Sequence, residues 1–254
     1  MPTFTENNIS INYHVYGTGK PVILLHGAIV DFDFNFVKTG WIKTLTDNGF
    51  QVIGIDFRGY GESDKSNDPS FYGTENFSND VINLIKHLEL EDAALLGYSM
   101  GTVIALDLLH KHPTKFSKAM LIATGDGLID IPPFILGELL PNMAEILAFE
   151  TFPSHLPSHI SAYWNFLNQV GLDRESMVAF SRAKYPALTA EDVTGIDTPA
   201  LIISGTNDLV LGTGQKAAEA LPNGEYLEIE GADHFTLALD KKTHLSTVEF
   251  LLND

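Results

Sequence analysis

From Pro21 onward the chain alternates short apolar runs with longer segments of helical period, and no other feature limits its fold so much. Parallel strands must be joined by crossovers, and crossover helices cover both sheet faces, so the buried strands read as continuous apolar runs. Strands are expected at residues 22–25, 51–55, 93–96, 119–122, 200–204 and 226–229, and helices at 37–47, 74–88, 100–110, 214–220 and 244–252. Residues 1–16 set Ile9, Ile11, Tyr13 and Val15 against Ser10, Asn12 and His14, which predicts two opening strands paired antiparallel at the sheet edge. The expected fold class is α/β, a mostly parallel, doubly wound sheet of about eight strands.

The alternation fails over residues 126–197. There Pro132, Pro133, Pro141, Pro153 and Pro157 cut an apolar, aromatic stretch into short pieces. This predicts a helical cap, residues 126–197, inserted in a core of residues 1–125 and 198–254, with cap helices at 158–170 and 173–183 that start on Ser158 and Asp173.

With 254 residues and 44% hydrophobic side chains the chain can bury a full core. Its formal charge of −18 is spread along the sequence, predicting a solvated surface that repels phosphates and so excludes nucleic acid as a partner. The absence of cysteine removes disulfides, thiolate metal sites and a cysteine nucleophile. No apolar stretch approaches the ~20 residues of a membrane span, and the N-terminus reads as a strand rather than a signal peptide, so a cytoplasmic protein without a membrane partner is expected. Histidines and acids are present without ligand spacing, and neither a metal nor another cofactor is expected.

The strongest local signal is Gly97-Tyr98-Ser99-Met100-Gly101, set between an apolar strand and a helical run. A serine on a sharp strand-to-helix turn projects its hydroxyl above the sheet, and flanking glycines remove side chains that would collide as the chain doubles back. The helix N-terminus directs unpaired N–H groups at the same place, so the Met100 N–H is a candidate oxyanion donor. A serine hydroxyl needs a base, and the base needs a group that fixes its tautomer. His234, after the strand at 226–229, and Asp208, after the strand at 200–204, supply both from loops past strand C-terminal ends. Asp126, after the strand at 119–122, is an alternative acid, and Asp233 reads as a turn residue. His110 and His112 read as the solvated end of a helix.

Together these residues resemble the α/β-hydrolase superfamily over nearly the whole chain. His26-Gly27 after the strand at 22–25 resembles the superfamily's oxyanion loop, and the run from Asp56 through Arg58, Gly59 and Gly61 to Ser63 resembles the loop after the next strand. The resemblance implies the chain order Ser99, Asp208, His234, the Ala28 N–H as a second oxyanion donor, and a loop-shaping role for His26. Two positions depart from the common pattern. Thr102 stands where a glycine is frequent, and His26-Gly27-Ala28-Ile29-Val30 lacks the glycine run tied to tertiary-alcohol esters.

A serine in the elbow position argues against epoxide opening and halide displacement, which use an aspartate there. The expected activity is that of a serine carboxylesterase cleaving short- to medium-chain esters, small molecules, through an acyl-serine intermediate, with turnover rising as His234 loses its proton. Phe134 and Trp164 are candidate pocket residues among the apolar cap side chains, which also include Ile135, Leu139, Phe149, Phe152, Tyr163 and Phe166. The alternatives are a lactonase or carbon–carbon bond hydrolase, a cofactor-free perhydrolase suggested by the Ser99-Met100 resemblance to haloperoxidases, and a hydrolase-fold receptor. Lactonase or carbon–carbon substrates usually carry a carboxylate, for which the cap offers Arg174, Arg182 and Lys184, while Asp31 and Asp33 flank the oxyanion loop.

Overall fold

A computed structural model describes residues 1–126, 134–135, 164–165, 168–186 and 188–253. The chain runs β1 (Thr3–Glu6), β2 (Ile9–Tyr16), β3 (Lys20–Leu25), α1 (Trp41–Asp47), β4 (Phe50–Ile55), α2 (Thr74–His87), β5 (Ala93–Tyr98), α3 (Met100–Lys111) and β6 (Phe116–Ile122). After the short β7 (Phe134–Ile135) come α4 (Arg174–Arg182), β8 (Lys184–Tyr185), α5 (Ala190–Thr194), β9 (Ala200–Gly205), α6 (Gln215–Ala220), β10 (Gly224–Ile229) and α7 (Lys241–Leu252).

Eight strands form one sheet in the order β1-β2-β4-β3-β5-β6-β9-β10. The β1–β2 and β2–β4 pairs are antiparallel and all later pairs parallel. Successive side chains of one strand serve opposite faces. Ile23 and Leu25 pack with Ile104 and Leu108 of α3 and Phe77 and Val81 of α2, whereas Val22 and Leu24 pack with Trp41 and Leu45 of α1 and Val248 of α7. Each fully buried Leu or Ile contributes about 1.5–3 kcal/mol, and coverage of both faces explains why the strands carry no polar alternation.

The opening strands pair antiparallel as the sequence suggests, but Asn12 and His14 do not face solvent. Both are buried against the carboxylate of Asp56, with Asn12 Nδ2 at 2.6 Å and His14 Nε2 at 3.3 Å. The helix expected over residues 37–47 is two pieces. A π-helical turn spans Asp33–Val37, and α1 starts at Trp41 because Gly40, with φ +89°, reverses the backbone between them. The last helix starts at Lys241 rather than at 244, since Asp240 caps it by accepting the Thr243 N–H at 2.9 Å.

Asp173 caps α4 through the Ser176 N–H, as its position suggested. Helix α4 buries Phe180 against Tyr60, Phe77 and Tyr185, inside the cluster that fills one face of the sheet. Of the helix expected over 158–170, residues 164–165 and 168–170 are helical and the rest lie outside the described residues, as do Leu139, Phe149, Phe152, Tyr163, Phe166 and the side chains of Phe134 and Ile135. No helix among the described residues is long and apolar enough to cross a membrane.

From β3 the chain moves to β4 on one side, and β5 lies on the other. Loops leaving β3 and β5 therefore diverge above their C-terminal ends, opening the crevice where sites of doubly wound sheets form.

Candidate active site

Ser99 is the single residue between β5 and α3, and its backbone is strained, with φ 52° and ψ −114°. The turn is held by neighbours. The Ser99 N–H donates to the Ile122 carbonyl at 2.9 Å, and the Ser99 carbonyl accepts the Thr102 N–H at 2.8 Å. The Thr102 hydroxyl adds a second bond to that carbonyl at 2.6 Å and lies 3.2 Å from Thr124 Oγ1. The side chain that replaces a frequent glycine thus braces the elbow. Gly97 and Gly101 have a steric reason: a Cβ at Gly97 would sit 2.5 Å from the Gly101 carbonyl oxygen, and one at Gly101 would sit 2.0 Å from that of Leu25.

Three residues distant in sequence meet above this elbow. His234 Nε2 lies 2.9 Å from Ser99 Oγ, and His234 Nδ1 lies 2.8 Å from Asp208 Oδ2. The other oxygen of Asp208 accepts the N–H groups of Val210 at 2.9 Å and Leu211 at 3.0 Å. Burial pushes the Asp208 pKa up, but the hydrogen bond and charge of His234, with the two N–H donors, outweigh it and hold the carboxyl below its ordinary range. An ionised Asp208 accepts the Nδ1 proton, leaving the Nε2 lone pair toward the serine hydroxyl. Tyr98 adds a tie that sequence reading missed, its phenol donating to the His234 carbonyl at 2.6 Å.

The alternative acid, Asp126, has other partners. Its carboxylate accepts the N–H groups of Lys216 at 2.8 Å and Ala217 at 3.3 Å and the Thr213 hydroxyl at 3.2 Å, capping α6. Asp233 accepts the N–H groups of Phe235 and Thr236, a turn role.

The loop after β3 passes over Ser99. His26 is fully buried, donates Nδ1–H to the Gly27 carbonyl at 2.7 Å and accepts the Phe57 N–H on Nε2 at 3.1 Å, so both ring nitrogens serve the loop. Burial holds its pKa below the ordinary imidazole value. Ile29 adopts φ +59°, uncommon for a β-branched residue, with its N–H on the Tyr60 hydroxyl at 3.3 Å. Gly27 donates its N–H to Asn35 Oδ1 at 2.8 Å. The N–H groups of Ala28 and Met100 take no acceptor among the described residues, and both residues are half-buried beside Ser99.

A cavity of about 600 Å³ opens at Ser99 and His234. Its wall is mostly apolar, with Ile29, Val30, Phe34, Phe235 and Leu239, and among the described residues it contains no Lys, Arg, Asp or Glu. Trp164 is not in that wall; it is half-buried under the Arg174 guanidinium, 5.2 Å from the ring centre. Phe134 pairs with Tyr185 through the backbone. Arg182 and Lys184 are exposed. Of the wall, the sequence pointed to Ala28, Ser99 and His234, whereas Phe235, Asn35 and Thr39 were not among its pocket candidates. No group of three or more acidic or histidine side chains among the described residues is placed to hold a metal.

Comparison with known proteins adds to this geometry. The family model for the alpha/beta hydrolase fold matches residues 20–196. A non-heme chloroperoxidase from Kitasatospora aureofaciens is 26% identical over 263 residues, covering 91% of this chain and 90% of its own. The enol-lactonase from Burkholderia xenovorans shares the fold with a TM-score of 0.79 at 22% identity, covering 99% of this chain and 100% of that one. An esterase from Exiguobacterium antarcticum does so with a TM-score of 0.71, also at 22% identity, over 96% of this chain and 94% of its own.

Proposed function

The chain belongs to the alpha/beta hydrolase family, and on that premise we propose that it is a serine carboxylesterase acting on short- to medium-chain carboxylic esters. The observation that carries the proposal is the relay from Asp208 through His234 to Ser99 Oγ, at 2.8 and 2.9 Å, opening on an apolar cavity.

In this reading Ser99 Oγ attacks the ester carbonyl while His234 Nε2 takes its proton, and Asp208 steadies the imidazolium. The carbonyl oxygen becomes an oxyanion between the N–H groups of Ala28 and Met100, each worth roughly 3 kcal/mol in the transition state. Collapse breaks the bond to the alkoxide, which leaves with the proton held by His234. Water, deprotonated by His234, then attacks the acyl-serine and releases the carboxylic acid and free Ser99. A mostly apolar described wall suits an alkyl acyl chain, and the absence of a cation from its described residues disfavours carboxylate-bearing lactone or carbon–carbon substrates.

Hydrolysis of p-nitrophenyl esters of graded chain length tests the proposal. Turnover that peaks at short or medium chains and disappears in Ser99→Ala supports it, and equal rates in the two proteins sink it.

The likeness to a chloroperoxidase over nine-tenths of both chains favours one second reading. Hydrogen peroxide would replace water in attacking an acetyl-serine, giving peracetic acid and free Ser99, and the peracid would then oxidise halide. Bromination of monochlorodimedone in acetate and peroxide, compared with Ser99→Ala, decides it.

A further inference from the structure

The amide of Asn35 is placed as no packing residue needs to be. Only 5% of Asn35 is exposed, yet the residue lines the cavity. Its Oδ1 accepts the Gly27 N–H at 2.8 Å, and because an N–H can only donate, this bond fixes which end of the amide is oxygen. Its Nδ2 donates to no group among the described residues, and it is not among the partnerless polar atoms sealed in the interior. Nδ2 therefore keeps some accessible surface, and the cavity is the opening that Asn35 lines. The turn is further secured by the Thr39 hydroxyl, which donates to the Asn35 carbonyl at 2.6 Å.

The position relative to the reacting centre is narrow. Asn35 Oδ1 and Ser99 Cβ each lie 3.5 Å from one point, the place a Cβ on Gly27 would occupy, so they are no further apart than two such steps. Ile29, Val30, Phe34, Phe235 and Leu239 around them offer no hydrogen bond from their side chains. A donor that opens on the cavity is paired by water until a ligand oxygen takes that place, and the exchange favours a ligand that carries an acceptor over one that carries a methylene there.

Resting on the esterase reading, we propose that Asn35 determines specificity: its Nδ2–H selects acyl groups carrying an uncharged acceptor oxygen, an ether or a ketone, two bonds from the scissile carbonyl carbon. The acceptor is uncharged because the described wall holds no cation, and Lys38 beside Phe34 is paired with Asp33 at 3.2 Å. Asn35 touches no reacting atom in this scheme. It also holds the Gly27 N–H, so replacing it slows turnover of every ester, and only a ratio between substrates isolates recognition.

The experiment compares p-nitrophenyl methoxyacetate with p-nitrophenyl butanoate, which differ by an oxygen in place of a methylene. The kcat/KM ratio is measured in the wild type, in Asn35→Asp, which keeps an acceptor for Gly27 but loses the donor, and in Asn35→Leu. Intrinsic reactivity and loop effects cancel between proteins. The wild-type ratio is expected to exceed that of both variants by about five- to tenfold, the value of one neutral hydrogen bond. Equal ratios in all three proteins overturn the proposal.

Binding to the Ser99→Ala protein, with and without Asn35→Asp, separates this idea from the esterase reading. A preference for ethyl methoxyacetate over ethyl butanoate in Kd that Asn35→Asp removes supports the donor even if the wild type hydrolyses neither p-nitrophenyl ester. Equal Kd values in both backgrounds overturn it.

Discussion

The Tyr98 hydroxyl donates to the backbone carbonyl of His234 at 2.6 Å, tying the residue before Ser99 to the residue that faces its hydroxyl. The phenol is buried, and burial raises its pKa, so it stays a donor throughout the working pH range. Tyr98→Phe leaves the His234 carbonyl without this donor. Stability is expected to fall by about 1–2 kcal/mol in urea unfolding. Turnover of p-nitrophenyl esters is expected to fall about tenfold in kcat with a smaller change in KM, because small displacements of a base are costly.

Asp208 and Asp126 separate cleanly by their partners. Asp208→Asn removes the charge that fixes the His234 tautomer and is expected to lower kcat by three to four orders of magnitude with the fold intact. Asp126→Asn weakens the capping of α6 and is expected to cost about 1 kcal/mol of stability with turnover within a factor of two or three. Parallel kinetics and urea unfolding of the two variants check both statements.

The glycines of the elbow predict a structural failure rather than a catalytic one. Gly101→Ala drives a methyl group to 2.0 Å from the Leu25 carbonyl, against backbone that cannot yield without separating β3 from α3. A loss of about 3 kcal/mol or more is expected, visible as a lowered urea midpoint or insoluble expression.

Asp56 sets an acid limit to stability. Burial raises its pKa, but the hydrogen bond to His14, the charge of His26 and the donors Asn12 and Phe32 outweigh it and bring the pKa down to about 2 from 3.8. The folded state then holds fewer protons than the unfolded chain between these values. The stability so contributed, about 2 kcal/mol, is complete above pH ~4 and disappears as pH falls toward 2. His26, whose pKa burial lowers, acts in the same direction, since protonation is opposed in the folded state. Urea midpoints measured from pH 7 to 3 should drop on the acid side, and Asp56→Asn should be less stable at pH 7 with a shallower acid limb.

Sequence legibility follows from how local each signal is. The elbow was readable because Gly97, Ser99 and Gly101 are neighbours whose types are dictated by backbone contacts, and β9 and β10 announced the loops bearing Asp208 and His234 by their apolar runs. Periodicity overran at residues 37–40, where Gly40 interrupts a pattern that otherwise continues into α1. Asn12 and His14 imitated a solvent face, because their burial depends on Asp56, more than forty positions away. Asn35 had no local mark at all. Its meaning arises from a bond to Gly27 across a turn whose shape the sequence does not display. Trp164, chosen for being large and apolar, is engaged by Arg174 instead of the described cavity wall.

Every step proposed for the site requires that Ser99 be a nucleophile activated by His234. Treatment with an alkyl fluorophosphonate followed by peptide mass spectrometry probes this, because the reagent reacts preferentially with an activated serine and needs no knowledge of the substrate. A single adduct on Ser99 that forms far more slowly in His234→Ala is the predicted result. An unlabelled protein, or equal labelling in His234→Ala, would mean that Ser99 is not a nucleophile activated by His234.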